Sequence, residues 1–372
     1  MIGIIGPGRL GICFSLLLER AGYSVMVSDV KKSYVDDINN KTIKSNEPNV
    51  VEFLKESKNL KAVYDNKTVI EFCDIIFAIV PTPSLPDGRY DVNILENIVQ
   101  EFKDTKNKIL VITSTTNPGD CERFQSQLEN TDIIYNPEFI AQGSIIKDIQ
   151  YADILLIGTR NETSIQQVIN IYKTIQLNDV NVHTMSLTAA EIVKVAINCY
   201  LTTKISYANI VGQVLISAGL ENEISNVLTA IGRDSRIGTK YLNFGHGFGG
   251  PCLPRDNRSF GNFAKSLGID FNLGLQIDEF NRSHLNFLTE FFINKNIHKI
   301  PFYFKYISYK ESTDIFDESQ QLFLCKRLLE RGFVVYVEDS YLIDLELKSE
   351  LELLGAKFVK KDSALEVLTI DL

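Results

Sequence analysis

The first half of the chain alternates short apolar runs with longer polar stretches compatible with helix. Residues 2–5 (IGII) form the first run and lead into glycines. Residues 12–21 (ICFSLLLERA) predict a helix stopped at Gly22, and residues 23–29 (YSVMVSD) predict a second strand. Further strands are predicted in CDIIFAIV (73–80), KILVITS (108–114), TDIIYN (131–136) and DILLIG (153–158). Strands alternating with helices imply a parallel sheet covered on both faces, an α/β class.

The pattern changes near residue 186. From SLTAAEIVKV onward the chain predicts one long helix, with Thr188 and Glu191 as a capping box and Gly219 as its stop. A second helix is predicted in ENEISNVLTAIG, then a glycine-rich loop over 245–251, then mostly helix to about residue 297. From residue 301 the strand and helix alternation returns in PFYFKYIS, ESQQLFLCKRLLERG and FVVYVEDS.

Composition narrows the classes. The 372 residues are 45% hydrophobic and 23% charged, which excludes intrinsic disorder, collagen-like repeats and a disulfide miniprotein. Lys and Arg total 38 against 47 Asp and Glu, a net charge of −9, so neither nucleic acid nor a membrane is an expected partner. Cys13, Cys73, Cys121, Cys199, Cys252 and Cys325 are scattered without a CxxC pair. No metal site or disulfide framework is expected, and a reducing, cytoplasmic setting is. The start of the chain has no basic leader with a cleavage site, and no apolar run approaches ~18 residues.

Three segments carry candidate chemistry. Gly6-Pro7-Gly8-Arg9-Leu10-Gly11 fits GxGxxG, follows a predicted strand and opens a predicted helix. Gly6 permits the tight turn, Gly8 lets backbone approach a pyrophosphate, and Gly11 lets helix pack on strand. Asp29, at the end of the next strand, is placed to accept from a ribose 2′-hydroxyl, which favours NAD over NADP; Lys31 and Lys32 lie close by. The second segment, residues 245–256, reads GHGFGGPCLPRD. Such glycine density costs entropy and is tolerated where backbone approaches a ligand closely. Cys252 follows the glycines, with Arg255 and Asp256 next, and a cationic neighbourhood raises a cysteine's thiolate fraction. The other five cysteines read as structural. In the third segment, Lys194 and Asn198 lie four apart on one predicted helix face among Ile192, Val193, Ala196 and Ile197. Such a lysine either snorkels to solvent or is held over a site as a cation; its pairing with Asn198 and the cysteine loop favour the second.

Together these segments resemble the UDP-glucose/GDP-mannose dehydrogenase family over roughly the first 340 residues. GFGGPCLPRD resembles the family's GFGGxCxxKD. VPTPSLPDG (80–88), STTNPG (114–119), NPEFIAQG (136–143), AAEIVKVAIN (189–198) and SRIGTKYL (235–242) follow the family order. The resemblance implies an N-terminal Rossmann domain binding NAD (1–185) and a central helical domain with the cysteine loop and a dimer interface (186–297). A short, Rossmann-like C-terminal α/β domain for the nucleotide sugar (298–372) would complete a homodimer's subunit. The implied activity is a four-electron oxidation of the C6 alcohol of a UDP-glucose-like nucleotide sugar, using two NAD+ and a thioester on Cys252.

By the same resemblance, Glu138 would activate the hydrolytic water, with Thr115 and Asp256 holding it. Lys194 and Asn198 would stabilise the oxyanion. Arg236, often supplied by a neighbouring subunit in the family, would grip the substrate with Tyr241 and Gly249, and Phe139 and Ile140 are counted with these contacts. Thr82, Thr115 and Lys310 would join Gly6, Gly8, Arg9, Leu10, Gly11 and Asp29 around the cofactor. Three positions depart from the pattern: Arg255 stands for a lysine, Gln142 for a second glutamate, and Asp317 for an arginine. Two other readings remain open. One is a single-step 3-hydroxyacid-type dehydrogenase that needs no cysteine; the other is a non-catalytic protein binding NAD or a nucleotide sugar.

Overall fold

Continuous apolar runs make strands that are covered on both faces, and all four residues of β1 (Ile2–Ile5) and of β2 (Val25–Ser28) are buried. They join β3 (Leu60–Val63), β4 (Ile75–Ala78), β5 (Lys108–Ile112), β6 (Thr131–Tyr135), β7 (Ile154–Thr159) and β8 (Asn181–Met185) in one sheet of order 3-2-1-4-5-6-7-8. The computed structural model describes residues 1–339, 342, 344–359 and 366–371. These fall into two units, Met1–Lys194 and Val195–Leu372.

In the first unit the helices are α1 (Arg9–Arg20), α2 (Lys32–Asn39), α3 (Val50–Glu56), α4 (Asn66–Phe72), α5 (Asn93–Glu101), α6 (Asp120–Gln125), α7 (Ile145–Gln150) and α8 (Glu162–Ile175). One core cluster joins α1, α7 and α8 to the sheet through residues such as Phe14, Ile149 and Tyr172. Strands β1 to β6 are parallel to their neighbours, but β7 pairs antiparallel with β6. The expected parallel sheet is thus present, with one antiparallel pair at β6 and β7. The only helix between β6 and β7 is α7, six residues or about 9 Å long, too short to carry the chain back along the sheet for another parallel strand. At β1 and β4 the strand order reverses, so the carboxyl ends of these strands open a crevice. The loops leaving β1, β4, β5 and β6 carry Gly6–Gly8, Thr82, Thr115 and Glu138.

The long helix α9 (Leu187–Ser217) contributes residues to both units. It starts earlier than the capping-box pattern requires, with Ala190 N–H donating to Ser186 O at 3.0 Å. Thr188 and Glu191 therefore lie inside the helix, and Glu191 turns inward to other partners. The predicted stop does form: Gly219 has φ +74, and Leu220 N–H reaches back to Leu215 O at 2.8 Å. The second unit continues with α10 (Ile224–Arg233), α11 (Leu253–Ser266) and α12 (Leu273–Lys295). Its small sheet of β9 (Phe302–Phe304), β10 (Val335–Val337), β11 (Lys357–Phe358) and β12 (Leu368–Thr369) is parallel in the order 11-10-9-12. Helix α13 (Gln320–Glu330) and α14 (Leu345–Leu353) accompany it, and Leu285 and Phe292 of α12 share its core.

Candidate active site

The turn after β1 needs its glycines for different reasons. Gly6 has φ +88, and a Cβ there would lie 2.5 Å from Ile79 O. At Gly11 a Cβ would lie 2.4 Å from Gly6 O, so the helix could not seat on the strand. At Gly8, the N-cap residue of α1, a Cβ would meet nothing within 4 Å. Open space therefore lies at the positive end of a helix, a setting that suits a dinucleotide's pyrophosphate. Arg9 is exposed and Leu10 half-buried on the first turn of α1. Asp29 directly follows β2, its Oδ1 accepting from Lys31 N–H at 2.8 Å. Across the crevice Thr82 Oγ1 donates to Thr115 O at 2.8 Å. Ser114 Oγ bridges to Val80, accepting from its N–H at 2.8 Å and donating to its O at 2.7 Å. The loops after β4 and β5 are thus tied together.

The loop after β6 presents Glu138, whose carboxylate accepts a hydrogen bond from the buried Tyr172 hydroxyl. Lys194 Nζ donates to Glu138 O at 2.9 Å and sits 4.8 Å from the Phe139 ring centroid. Lys194 is only 9% exposed, so its cation is held inward and does not snorkel. Ile140 packs on the sheet core, while Gly143 N–H reaches the buried Glu47 carboxylate at 2.8 Å. Burial raises the Glu138 carboxyl above its usual range, and the Tyr172 hydrogen bond and the Lys194 charge pull it back down. One turn before Lys194, Glu191 is 0% exposed. Its carboxylate accepts from Thr116 Oγ1 at 2.7 Å, Gly119 N–H at 2.6 Å and Cys121 N–H at 2.9 Å. Burial raises this carboxyl too, and the three donors oppose the shift. The Thr115 loop is thereby locked to the helix that carries Lys194.

In the second unit Cys252 is the exposed one of six cysteines and forms the N-cap residue of α11. The first turn of α11 is fastened to α9 at three points. Asn198 Nδ2 donates to Asp256 Oδ2 at 2.6 Å, Cys199 Sγ approaches Asp256 O at 3.6 Å, and Thr202 Oγ1 donates to Asn257 Oδ1 at 3.0 Å. The glycine loop before Cys252 is clamped along its length. Gly245 N–H donates to Asn209 Oδ1 at 3.0 Å, and Asn281 exchanges two hydrogen bonds with Phe248 at 2.9 and 2.8 Å. His284 Nε2 must be the donor to Gly245 O at 2.8 Å, so its Nδ1 accepts from Gln213 at 2.7 Å and the ring is neutral. A Cβ at Gly249 would lie 2.5 Å from Glu318 O, so residue 249 must be glycine for the loop to approach that peptide.

Residues 1–176 match the family model for the NAD binding domain of the UDP-glucose/GDP-mannose dehydrogenase family, and residues 188–283 match that family's central domain. This chain belongs to the UDP-glucose/GDP-mannose dehydrogenase family. NAD is accordingly its cofactor, the group that the glycine turn and Asp29 fit. The chain is similar to the UDP-glucose 6-dehydrogenase of Rickettsia conorii, 29% identical over 371 residues that cover 94% of this chain and 83% of that protein. It is similar to the solved UDP-glucose dehydrogenase of the hyperthermophilic archaeon Pyrobaculum islandicum, with TM-score 0.85 and 26% identity over 97% of this chain and 86% of that one. The UDP-D-ManNAc dehydrogenase of Pyrococcus horikoshii shares the fold, with TM-score 0.77 and 19% identity over 99% of this chain and 98% of that one.

Within this dehydrogenase the departures from the family pattern have distinct settings. Gln142 Oε1 is buried and has no hydrogen-bond partner among the described residues. Arg255 is half-buried on α11. Asp317 is exposed, and its main-chain oxygen accepts from Gly250 N–H at 2.9 Å. The neighbouring Glu318 takes both arms of Arg258, at 2.8 and 2.6 Å. This segment therefore braces the cysteine loop. Lys310 is exposed, and so is Tyr241, at φ +61. The Arg236 side chain is 87% exposed and held by Asp234 at 3.0 and 2.7 Å.

The loop clamp makes stability depend on pH. His246, in the glycine loop, has its pKa pushed down to about 4 by burial and by the nearby His284, which burial also lowers. An unfolded histidine titrates near ~6.5. Below that pH the unfolded chain binds protons that folded His246 refuses, so the contribution is whole above ~6.5 and is lost as pH falls toward 4. Unfolding midpoints are expected to show about 2 kcal/mol lost between pH 7 and pH 4.5 from this residue, and His246→Gln should remove that part of the slope.

Proposed function

We propose that this dehydrogenase oxidises the C6 alcohol of a UDP-glucose-like nucleotide sugar to the carboxylate, through a thioester on Cys252. The carrying observation is the exposed thiol of Cys252 at a helix N-terminus, behind a braced glycine loop and one turn before the buried Asp256. NAD would supply the hydride acceptor, one NAD+ for each of the two oxidations. Between them the Cys252 sulfur adds to the aldehyde carbon and gives a thiohemiacetal, whose oxidation leaves a thioester. Water then cleaves the carbon–sulfur bond, releasing the carboxylate and regenerating the thiolate. Glu138 takes the water's proton, Thr115 and Asp256 hold the water, and Lys194 and Asn198 stabilise the oxyanion. Lys310 is assigned to the cofactor, and Phe139, Ile140, Arg236, Tyr241 and Gly249 to the substrate. The test is NADH yield against a panel of UDP-glucose, UDP-N-acetyl sugars and GDP-mannose. Two NADH per sugar are expected from one panel member, and one NADH, or none from any sugar, sinks the reading.

The same proposal includes the division at residues 185 and 297, a cytosolic setting and a homodimer. Among the described residues no helix is long and apolar enough to cross a membrane. Tyr200, Tyr207, Ile210 and Val214 are exposed on α9 at spacings of one helix face. That stripe supports a second copy as its cover, with Arg236 reaching the neighbour's substrate. Sedimentation at micromolar concentration tests it, a monomer being the contrary result.

A further inference from the structure

We propose that Tyr172 is the positioning residue of Glu138, fixing one carboxylate oxygen so that the other faces the water it deprotonates. This rests on the reading of Glu138 as the base of thioester hydrolysis. Helix α8 buries Ile165, Val168, Tyr172 and Ile175 at 3-4-3 spacing, the stripe of a core-facing helix. A phenol on such a stripe must find a hydrogen-bond partner inside the protein. Tyr172 is 2% exposed, its ring packs 5.6 Å from Phe14 of α1, and its hydroxyl donates to Glu138 Oε1.

Residue 138 is thus held twice. Lys194 of α9 holds its main-chain oxygen at 2.9 Å, and Tyr172 of α8 holds its carboxylate. These two side chains are the titratable groups acting on the Glu138 carboxyl. Burial and the adjacent Glu138 push the Tyr172 phenol well above its usual range, so it remains a donor wherever Glu138 is ionised. Donation to the anion favours the ionised base, while burial opposes it. Deleting the hydroxyl alone should therefore leave a base that needs a higher pH to ionise.

The experiment follows single-turnover hydrolysis of the thioester against pH. Tyr172→Phe is expected to move the acidic limb up by about one pH unit, so the rate on that limb falls about tenfold and recovers at high pH. Replacing Tyr172 site-specifically with 3-fluorotyrosine, a stronger donor that leaves no void, should move the limb down; this arm decides if Tyr172→Phe does not fold. Ile171→Val, which loosens the same core, should leave the limb in place. A loss equal at every pH, or a limb unmoved in the tyrosine variants, overturns the proposal. Glu138→Gln separates the two claims. Normal two-NADH turnover by that variant removes the base reading itself, whereas a stalled thioester beside unmoved tyrosine limbs removes only the role of Tyr172.

Discussion

Cys252→Ala is expected to stop acid formation by at least ~10³-fold, because in the proposed reaction its sulfur holds the acyl carbon between the two oxidations. The side chain is exposed, so the substitution should change stability by no more than ~0.5 kcal/mol. NADH yield per sugar, read together with an aldehyde trap, gives the result directly. Two NADH per sugar from Cys252→Ala would remove the thioester, whereas one NADH per substrate from both the unsubstituted protein and Cys252→Ala would leave the single-step dehydrogenase, which needs no thiol. No NADH from the unsubstituted protein with any sugar would favour the binding protein.

Glu138→Gln is expected to slow hydrolysis by ~10²–10⁴-fold and to leave acylated enzyme visible in its intact mass. The amide oxygen can still accept from Tyr172, but the group can no longer take a proton. The direction with pH follows from the burial of the carboxyl. A base must be ionised, and burial lifts Glu138 above its usual range despite Tyr172 and Lys194. Hydrolysis should therefore fail as pH drops through that raised value, on the neutral side of the ~4.3 of an exposed glutamate. The residual rate of Glu138→Gln should be flat over the same interval. Full turnover by this variant would transfer the proton to another group.

Patterns that are local in sequence and demanded by backbone geometry were legible before folding. The strand, GxGxxG turn and helix at the start appear where the apolar run and glycines predict them, though α1 begins at Arg9 because Gly8 already accepts the first helical bond, from Ile12 N–H at 2.9 Å. For Lys194 the sequence favours a held cation over a snorkelling one, and its hydrogen bond to Glu138 O shows the side chain turned inward. Glu191 was misread. The Thr188 and Glu191 spacing satisfies a capping box, yet the carboxylate serves Thr116, Gly119 and Cys121, residues some 70 positions away. Tyr172, Asn209, Asn281 and His284 gave no functional signal, because each looks like an ordinary helix residue until its partner is known.

The amino-acid sequence by itself determined the α/β class and the cofactor turn and singled out Cys252 as the candidate thiol, since periodicity, obligatory glycines and the setting of a cysteine are properties of short segments. Tertiary structure alone decided the antiparallel β6–β7 pair, the inward lysine, and the hydrogen bonds that brace the Glu138 and Cys252 loops. Those features depend on pairing residues tens of positions apart. Which buried donor meets which buried acceptor is settled by how the elements pack, not by the identity of either residue.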